Sequence, residues 1–408
     1  MQMNLGRSIE DVIENLCSRS FFADFTIRSP KYSKAGGLEK EAADVLVVFN
    51  ETLLAIQVKS KDACSSASQN DVERTRISRA IENAIRQFRA LGEAWHDPDF
   101  NSFTNGRGVK VAFHKGQIKD VIFIVVFVPV WKDKPDSPPR VQFNLTCYPD
   151  GPIAIHVFSL DQFSLLLIML NTLPDFLLYL DGRWVLHGEK LVPKDSDPLD
   201  EWALMTFERN RFIEIIEKRI STDISGLFNR HRLSVERLER QEKPSYFVDN
   251  LIESLCKAVG AVAPVDPRFK LLAEPNSLKA YQMTIPYFAK LKRDQRAKLV
   301  EFLINRVKES EKNGFAFRAF KFKEESEEAY FVLAAKALRD ERRMGLVNLA
   351  KIAGIKLRVK TVIGIAVGHD WPASPNSDVA IVDVSNLHDR NLNQATEDPF
   401  GRVRRPKK

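Results

Sequence analysis

Residues 43–61 read ADVLVVFNETLLAIQVKSK. Two runs rich in Val, Leu and Ile are separated only by Asn50 and Glu51. Such a break between β-formers predicts a tight hairpin, with strands over 43–50 and 52–61. An isolated hairpin is barely stable in water, so its apolar residues need covering. The flanking sequence supplies the cover. Upstream, Ile9, Val12, Ile13 and Leu16 recur at helical spacing and share one face. Ser8 can cap that helix, with Asp11 three residues on. FFADFTIRSP (21–30) then reads as a strand, followed by a loop around Gly36 and Gly37. Downstream of a Ser-rich loop (62–70), a stripe of Ile77, Ile81, Ala84, Ile85, Phe88 and Leu91 predicts a helix over 72–92. Its other faces carry Arg74, Arg76, Arg79, Arg86 and Arg89. VIFIVVFV (121–128) is continuously apolar and suits a strand buried on both faces.

Neither long apolar stretch reads as a membrane span. VIFIVVFVPV is ten residues with a proline, too short to cross. Residues 157–180 are interrupted by Asp161, Gln162, Asn171, Pro174 and Asp175. Four dispersed cysteines show no disulfide framework or zinc spacing and suit a reducing cytoplasm. The start, MQMNLGRSIEDV, shows no signal pattern, so a cytoplasmic location is expected. The seven histidines form no HxH or HExxH pair, and there is no Walker A loop. Gly364–Gly368 reads as part of a buried strand, not a phosphate loop.

A chain of 408 residues predicts at least two domains. LVPKDSDPLDE (191–201), with two prolines and four acids, reads as a linker. The expected division is an N-terminal domain over 1–195, a C-terminal mixed α/β domain over 196–385 and a basic tail over 386–408. The second domain opens with helices and ends in the strand-like runs FAFRAFKFK, AYFVLAAKAL, TVIGIAVG and SDVAIVDV. The formal net charge is +7, and GRVRRPKK at the end carries five of those charges. The body of the chain is therefore weak evidence for a polyanion partner.

Chemistry points to the hairpin. Gln57 and Lys59 lie two apart in a strand, so they emerge on one face. Asp44 opens the partner strand and is brought across from them. A carboxylate, an amide oxygen and an ammonium group would then converge at one end of a small sheet. A carboxylate with a few oxygen donors can hold Mg²⁺ or Mn²⁺ and leave positions for water. Such an ion acidifies water and offsets phosphoryl charge, and a nearby lysine adds a point charge.

At these residues the sequence resembles the PD-(D/E)XK nuclease superfamily, with its restriction-endonuclease-like αβββαβ core. Gly6-Arg7-Ser8-Ile9-Glu10 resembles the first-helix motif, and Asp44 stands where the family's metal aspartate opens its strand. Gln57-Val58-Lys59 is similar to the (D/E)XK tripeptide in the QXK form of Mrr-type restriction enzymes. Gln87 resembles a helix glutamine found in some branches. The resemblance covers about residues 5–130. It departs from the family pattern at Ala43, where proline is usual, and at the neutral Gln57.

The resemblance implies a Mg²⁺- or Mn²⁺-dependent nuclease, cutting DNA rather than RNA, in bacterial anti-phage defence or DNA processing. Asp44, Gln57 and Glu10 are the implied metal ligands, with Glu41 as a further carboxylate that offsets the neutral Gln57. Lys59 is the implied stabilising cation, and Lys61, Arg79, Arg86 and Gln87 are candidate nucleic-acid contacts. A homodimer or a complex with other proteins is implied as well. A nuclease fold that has lost catalysis and serves as a binding or scaffold module is the alternative.

Overall fold

The computed structural model describes residues 5–21, 23, 25–34, 38–63, 70–98, 100–108, 110–112, 114–131, 146–147, 154–193, 196–260, 284–371 and 377–385. The basic tail lies outside the described residues. The chain divides into two compact units, Met1–Glu239 and Arg240–Lys408. It is a mixed α/β protein with a separate sheet in each unit.

The first unit is built on a six-stranded sheet of order β1-β4-β5-β8-β10-β9. Its strands are β1 (Thr26–Arg28), β4 (Val45–Phe49), β5 (Thr52–Ala63), β8 (Asp120–Trp131), β9 (Thr146–Cys147) and β10 (Ala154–Ser159). Two small ladders stand apart from it: β2 (Lys31–Lys34) with β3 (Leu38–Glu41), and β6 (Ser102–Thr104) with β7 (Lys110–Ala112). The hairpin forms where the sequence places it. Asn50 takes φ 52°, a left-handed conformation that asparagine adopts more readily than most residues. β4 and β5 pair antiparallel from Val45↔Ile56 to Phe49↔Thr52.

β5 also pairs parallel with β8, from Thr52↔Asp120 to Ala63↔Trp131. A parallel pair needs a long crossover, and α2 (Asn70–Trp95) lies within it. Leu46, Leu53, Ala55, Phe123, Val125 and Phe127 of the sheet share one core cluster with Ala84, Phe88 and Leu91 of α2. The alternate residues Leu54, Ile56, Val58, Ile124 and Val126 are buried as well. The central strands are therefore covered on both faces, as their unbroken apolar runs require. With α1 (Leu5–Phe21) in front, the order is the expected αβββαβ, with the β2–β3 hairpin inserted after β1 and the β6–β7 ladder between α2 and β8.

That insertion corrects the reading of 21–30. The helix runs on to Phe21, and only Thr26–Arg28 is strand. Phe21 packs on Phe176, 5.3 Å between ring centroids, and Ser20 Oγ donates to the Leu167 carbonyl at 3.3 Å. These contacts hold the last turn of α1 against α3 (Leu160–Met169) and α4 (Leu173–Gly188).

The segment 191–201 is not a linker. Its acids and prolines are helix-start chemistry, which resembles linker composition when read alone. Asp197 caps α5 (Pro198–Phe207), accepting from Leu199 N at 2.9 Å, and Pro198 opens the helix. Glu201 is fully buried. It accepts from Arg183 Nε at 2.8 Å and Ser196 Oγ at 2.7 Å, and pairs with His187 Nε2 at 2.6 Å. Tyr179 O–H donates to it at 3.3 Å. One carboxylate thus joins α5 to three side chains of α4. Four further helices follow in chain order: α6 (Arg209–Lys218), α7 (Leu227–Arg230), α8 (Arg232–Glu242) and α9 (Tyr246–Gly260).

A fragment ending at residue 195 would strand Arg183 without its carboxylate. We expect a 1–239 fragment to be soluble and cooperative on thermal melting, and a 1–195 fragment to aggregate or melt without a sharp transition. Equal cooperativity of the two would show that α5 is dispensable.

The second unit carries a sheet of order β11-β12-β13-β14. Its strands are β11 (Phe315–Phe320), β12 (Glu328–Ala335), β13 (Thr361–Gly368) and β14 (Ser377–Asp383), the four runs read as strands. α10 (Arg293–Asn313) precedes them. β12 and β13 are parallel and linked through α11 (Arg339–Leu357). The helix packs closely on the sheet at Gly354, where an added Cβ would lie 2.7 Å from Val384 and 2.8 Å from Val362.

Candidate active site

Asp44 stands one residue before the first ladder pair of the hairpin, Val45↔Ile56. One further step along this register puts it across from Gln57. Directly opposed residues of an antiparallel pair share a face, and Lys59 is two along from Gln57. The three side chains are therefore placed together by backbone geometry alone. The entry into β4 is also fixed. Ser29 N donates to the Asp44 carbonyl at 2.9 Å, and Ala42 N to the Pro30 carbonyl at 2.8 Å. These two bonds close the base of the β2–β3 excursion, so Glu41, the last residue of β3, is returned to the neighbourhood of Asp44.

Asp44 is only 9% exposed, and its Oδ2 accepts from the Val58 backbone N–H at 2.5 Å. That bond ties the carboxylate to the strand bearing Gln57 and Lys59. Burial raises the Asp44 pKa above the ordinary carboxylate value. The Lys59 ammonium and the Val58 N–H oppose the rise, and Glu41 adds to it. Glu10, on α1, is raised too: first by burial, then by the carboxylates of Asp44 and Glu41, against Arg28 and Lys59. Glu10, Glu41, Asp44 and Lys59 thus lie within electrostatic reach of one another. Glu41 is exposed, and Lys59 is half-buried.

Gln57 is 3% exposed, and its Oε1 is buried with no hydrogen-bond partner. An unsatisfied buried acceptor costs about 1–3 kcal/mol. The amide oxygen is held on the face it shares with Asp44.

Arg28 is a residue the sequence reading passed over. Its guanidinium pairs with Asp11 and, at 3.3 Å, with Glu14, both on α1. It anchors the helix that carries Glu10 to strand β1. Its signal in the sequence was a lone cation at a strand end, which has no specific meaning without the helix beside it.

The other candidates are less gathered. Gln87, Arg79 and Arg86 lie exposed on α2, outside the group of charges that meet at Asp44. Arg86 Nη2 donates to Asn83 Oδ1 at 2.5 Å, within its own helix. Lys61 continues β5, and its side chain lies outside the described residues. Among the described residues, no three His, Cys, Asp or Glu side chains form a ready-made metal cluster. A cation here would rest on a mixed set: the Asp44 carboxylate, the Gln57 amide oxygen and Glu10. The unpartnered Oε1 and the raised carboxylate pKa values fit such a cation. It would supply Gln57 with a partner and relieve the cost of ionising Asp44.

No family model matches the sequence, and no curated protein matches it either. Among solved structures, the chain is similar to the small subunit of the heterodimeric restriction endonuclease R.BspD6I. The identity is 13% and the TM-score 0.23, covering 54% of this chain and 92% of that chain. No helix among the described residues is long and apolar enough to cross a membrane.

Proposed function

We propose that the chain is a metal-dependent nuclease that hydrolyses phosphodiester bonds, with DNA as substrate and the Asp44 site as its active site. The observation that carries this reading is the buried, unpartnered Gln57 Oε1 placed across from Asp44. Asp44 and Gln57, with Glu10, would hold Mg²⁺ or Mn²⁺, with Glu41 as an outlying carboxylate. When bound, the ion acidifies a water and offsets phosphoryl charge. The rest of the work falls to the chain. Val58 N–H holds the Asp44 carboxylate in place. Lys59 would offer a positive charge to the scissile phosphate, and it opposes the rise that burial imposes on the Asp44 and Glu10 pKa values. The exposed Arg79 and Arg86 of α2 would contact the phosphate backbone, which positions a duplex without reading its sequence.

A second reading has one observation in its favour. The lack of a three-residue acidic or histidine cluster among the described residues suits a nuclease-fold protein that binds nucleic acid without cutting it. Incubating the full chain with supercoiled plasmid and Mg²⁺ or Mn²⁺ separates the two. Nicking or linearisation is expected, and Asp44→Ala should remove it while the melting curve is retained. A parent chain that leaves the plasmid intact while still retarding it on a gel would select the binding module instead.

A further inference from the structure

The second unit holds a charge cluster that nothing above uses. The first turns of α11 carry Arg339, Arg342 and Arg343, and all three converge on Asp378. Asp378 lies near the start of β14 and is 2% exposed. Its Oδ1 accepts from Arg339 Nε at 2.8 Å and Arg343 Nε at 2.9 Å, and its Oδ2 from Arg342 Nη2 at 3.0 Å. Three guanidiniums therefore share a single buried carboxylate.

The neighbouring acids do not restore the balance. Asp340 is 96% exposed and 4.0 Å from Arg343, so water screens it. Glu341 Oε2 is occupied by the Leu338 backbone N–H at 3.1 Å. Asp370 is exposed. A clamp between α11 and β14 needs one arginine, and the buried Arg342 meets that need, so Arg339 and Arg343, about a third exposed, bring charge beyond what Asp378 offsets.

The unsatisfied groups at this corner are mostly of one kind. Arg342 is 6% exposed, and its Nε is buried with no hydrogen-bond partner. Trp371, also 6% exposed, has a buried Nε1 with no partner. Both nitrogens can only donate. Their residues flank Gly368 at the end of β13: Trp371 N donates to the Gly368 carbonyl at 3.3 Å, and a Cβ on Gly368 would lie 2.5 Å from Asp370 Oδ1 and 3.5 Å from Arg342 Nη1. Ser377 Oγ, beside Asp378, is buried and unpartnered too. Arg339 and Arg343 spend their Nε atoms on Asp378, and a guanidinium has four further N–H donors at its Nη ends.

The position agrees with the chemistry. This is the carboxyl end of the parallel pair β12–β13 and the amino end of the helix that links them. Ligands of open α/β sheets bind at carboxyl ends of strands, and helix amino ends favour anions. We infer that the corner formed by Arg339, Arg342, Arg343 and Trp371 binds a phosphoryl oxyanion. A free phosphate compound and a nucleic-acid backbone carry the same group. The inference does not depend on the nuclease reading, since Asp44 and Lys59 belong to the other unit.

The test is calorimetric titration of the full chain with inorganic pyrophosphate and, separately, with a short DNA duplex. Arg339→Gln, Arg343→Gln and Trp371→Phe are compared with the parent. The two arginines are about a third exposed, and either substitution leaves Asp378 two partners. Trp371→Phe leaves the ion cluster untouched. Each variant should weaken binding by about tenfold, the equivalent of ~1.4 kcal/mol, with an unchanged melting curve. Saturable pyrophosphate binding lost in the variants assigns the site to a free phosphate compound. A loss seen only with the duplex assigns it to a nucleic-acid backbone. Asp44→Ala should bind pyrophosphate as the parent does. The inference is overturned if neither probe binds, or if all three variants bind both as the parent does.

Discussion

Glu201→Ala is expected to destabilise the N-terminal unit by about 3–5 kcal/mol, the usual cost of removing one partner of a buried ion pair. Arg183 and Glu201 are both fully buried. Removing the carboxylate leaves the guanidinium in the core without its counter-charge, over the Phe158 ring 4.7 Å from its carbon. Tyr179, His187 and Ser196 lose an acceptor at the same time. Replacing both charges, as Arg183→Met with Glu201→Leu, should recover much of the loss, because no unpaired charge remains. Urea denaturation of the single and double variants measures the difference. A Glu201→Ala chain within about 1 kcal/mol of the parent would show that the buried carboxylate is not what holds α5 in place.

The same network sets the acid limit. Burial would push the Glu201 carboxyl up, but Arg183 and His187 hold it down at about 2. Its stabilising contribution is therefore present above the ordinary carboxylate pKa and is lost as pH falls from there toward about 2. His156, buried in the same region, is kept well below the ordinary histidine value, first by burial and then by Arg183. The unfolded chain takes up that proton first, so His156 also favours unfolding as pH drops below 6.5.

The hairpin and the shared face of Asp44, Gln57 and Lys59 were legible in the sequence because strand alternation is local. Asp44, Gln57 and Lys59 need only a two-residue turn and a period of two to share a face. The helix α2 was legible for the same reason, through Ala84, Phe88 and Leu91. What failed was composition read without partners. Asp197, Pro198 and Asp200 look like linker residues until Glu201 is seen in contact with Arg183 and His187, which are 18 and 14 residues away. The β2–β3 hairpin has no apolar alternation to announce it: Lys31, Glu39, Lys40 and Glu41 are exposed. Arg339, Arg342 and Arg343 match no motif in the sequence. Only the fold shows that Asp378, 35–39 positions further on, turns them into one cluster.

Lys59→Met is expected to lower cleavage at neutral pH by about 10²–10³-fold, the range for removing one preorganised charge stabiliser, and to move the pH profile in a defined direction. Asp44 must be ionised to serve as a ligand. Its pKa is raised by burial and by Glu41 and lowered by Lys59. Removing the ammonium therefore lifts the Asp44 pKa, and the Glu10 pKa with it, since Lys59 opposes the rise at both. The acid limb of kcat/KM should shift to higher pH in the variant. Glu41→Gln removes a repulsion felt at both carboxyls and should shift the limb to lower pH. The paired, opposite shifts separate an electrostatic role at Asp44 from a loss of fold, which would lower activity at every pH alike. Gln57→Glu adds a third carboxylate beside Asp44 and Glu10. It should tighten Mn²⁺ binding, measured by titration of the chain without nucleic acid, and raise the acid limb through added repulsion. An unchanged limb in both Lys59→Met and Glu41→Gln would remove Asp44 from the reaction.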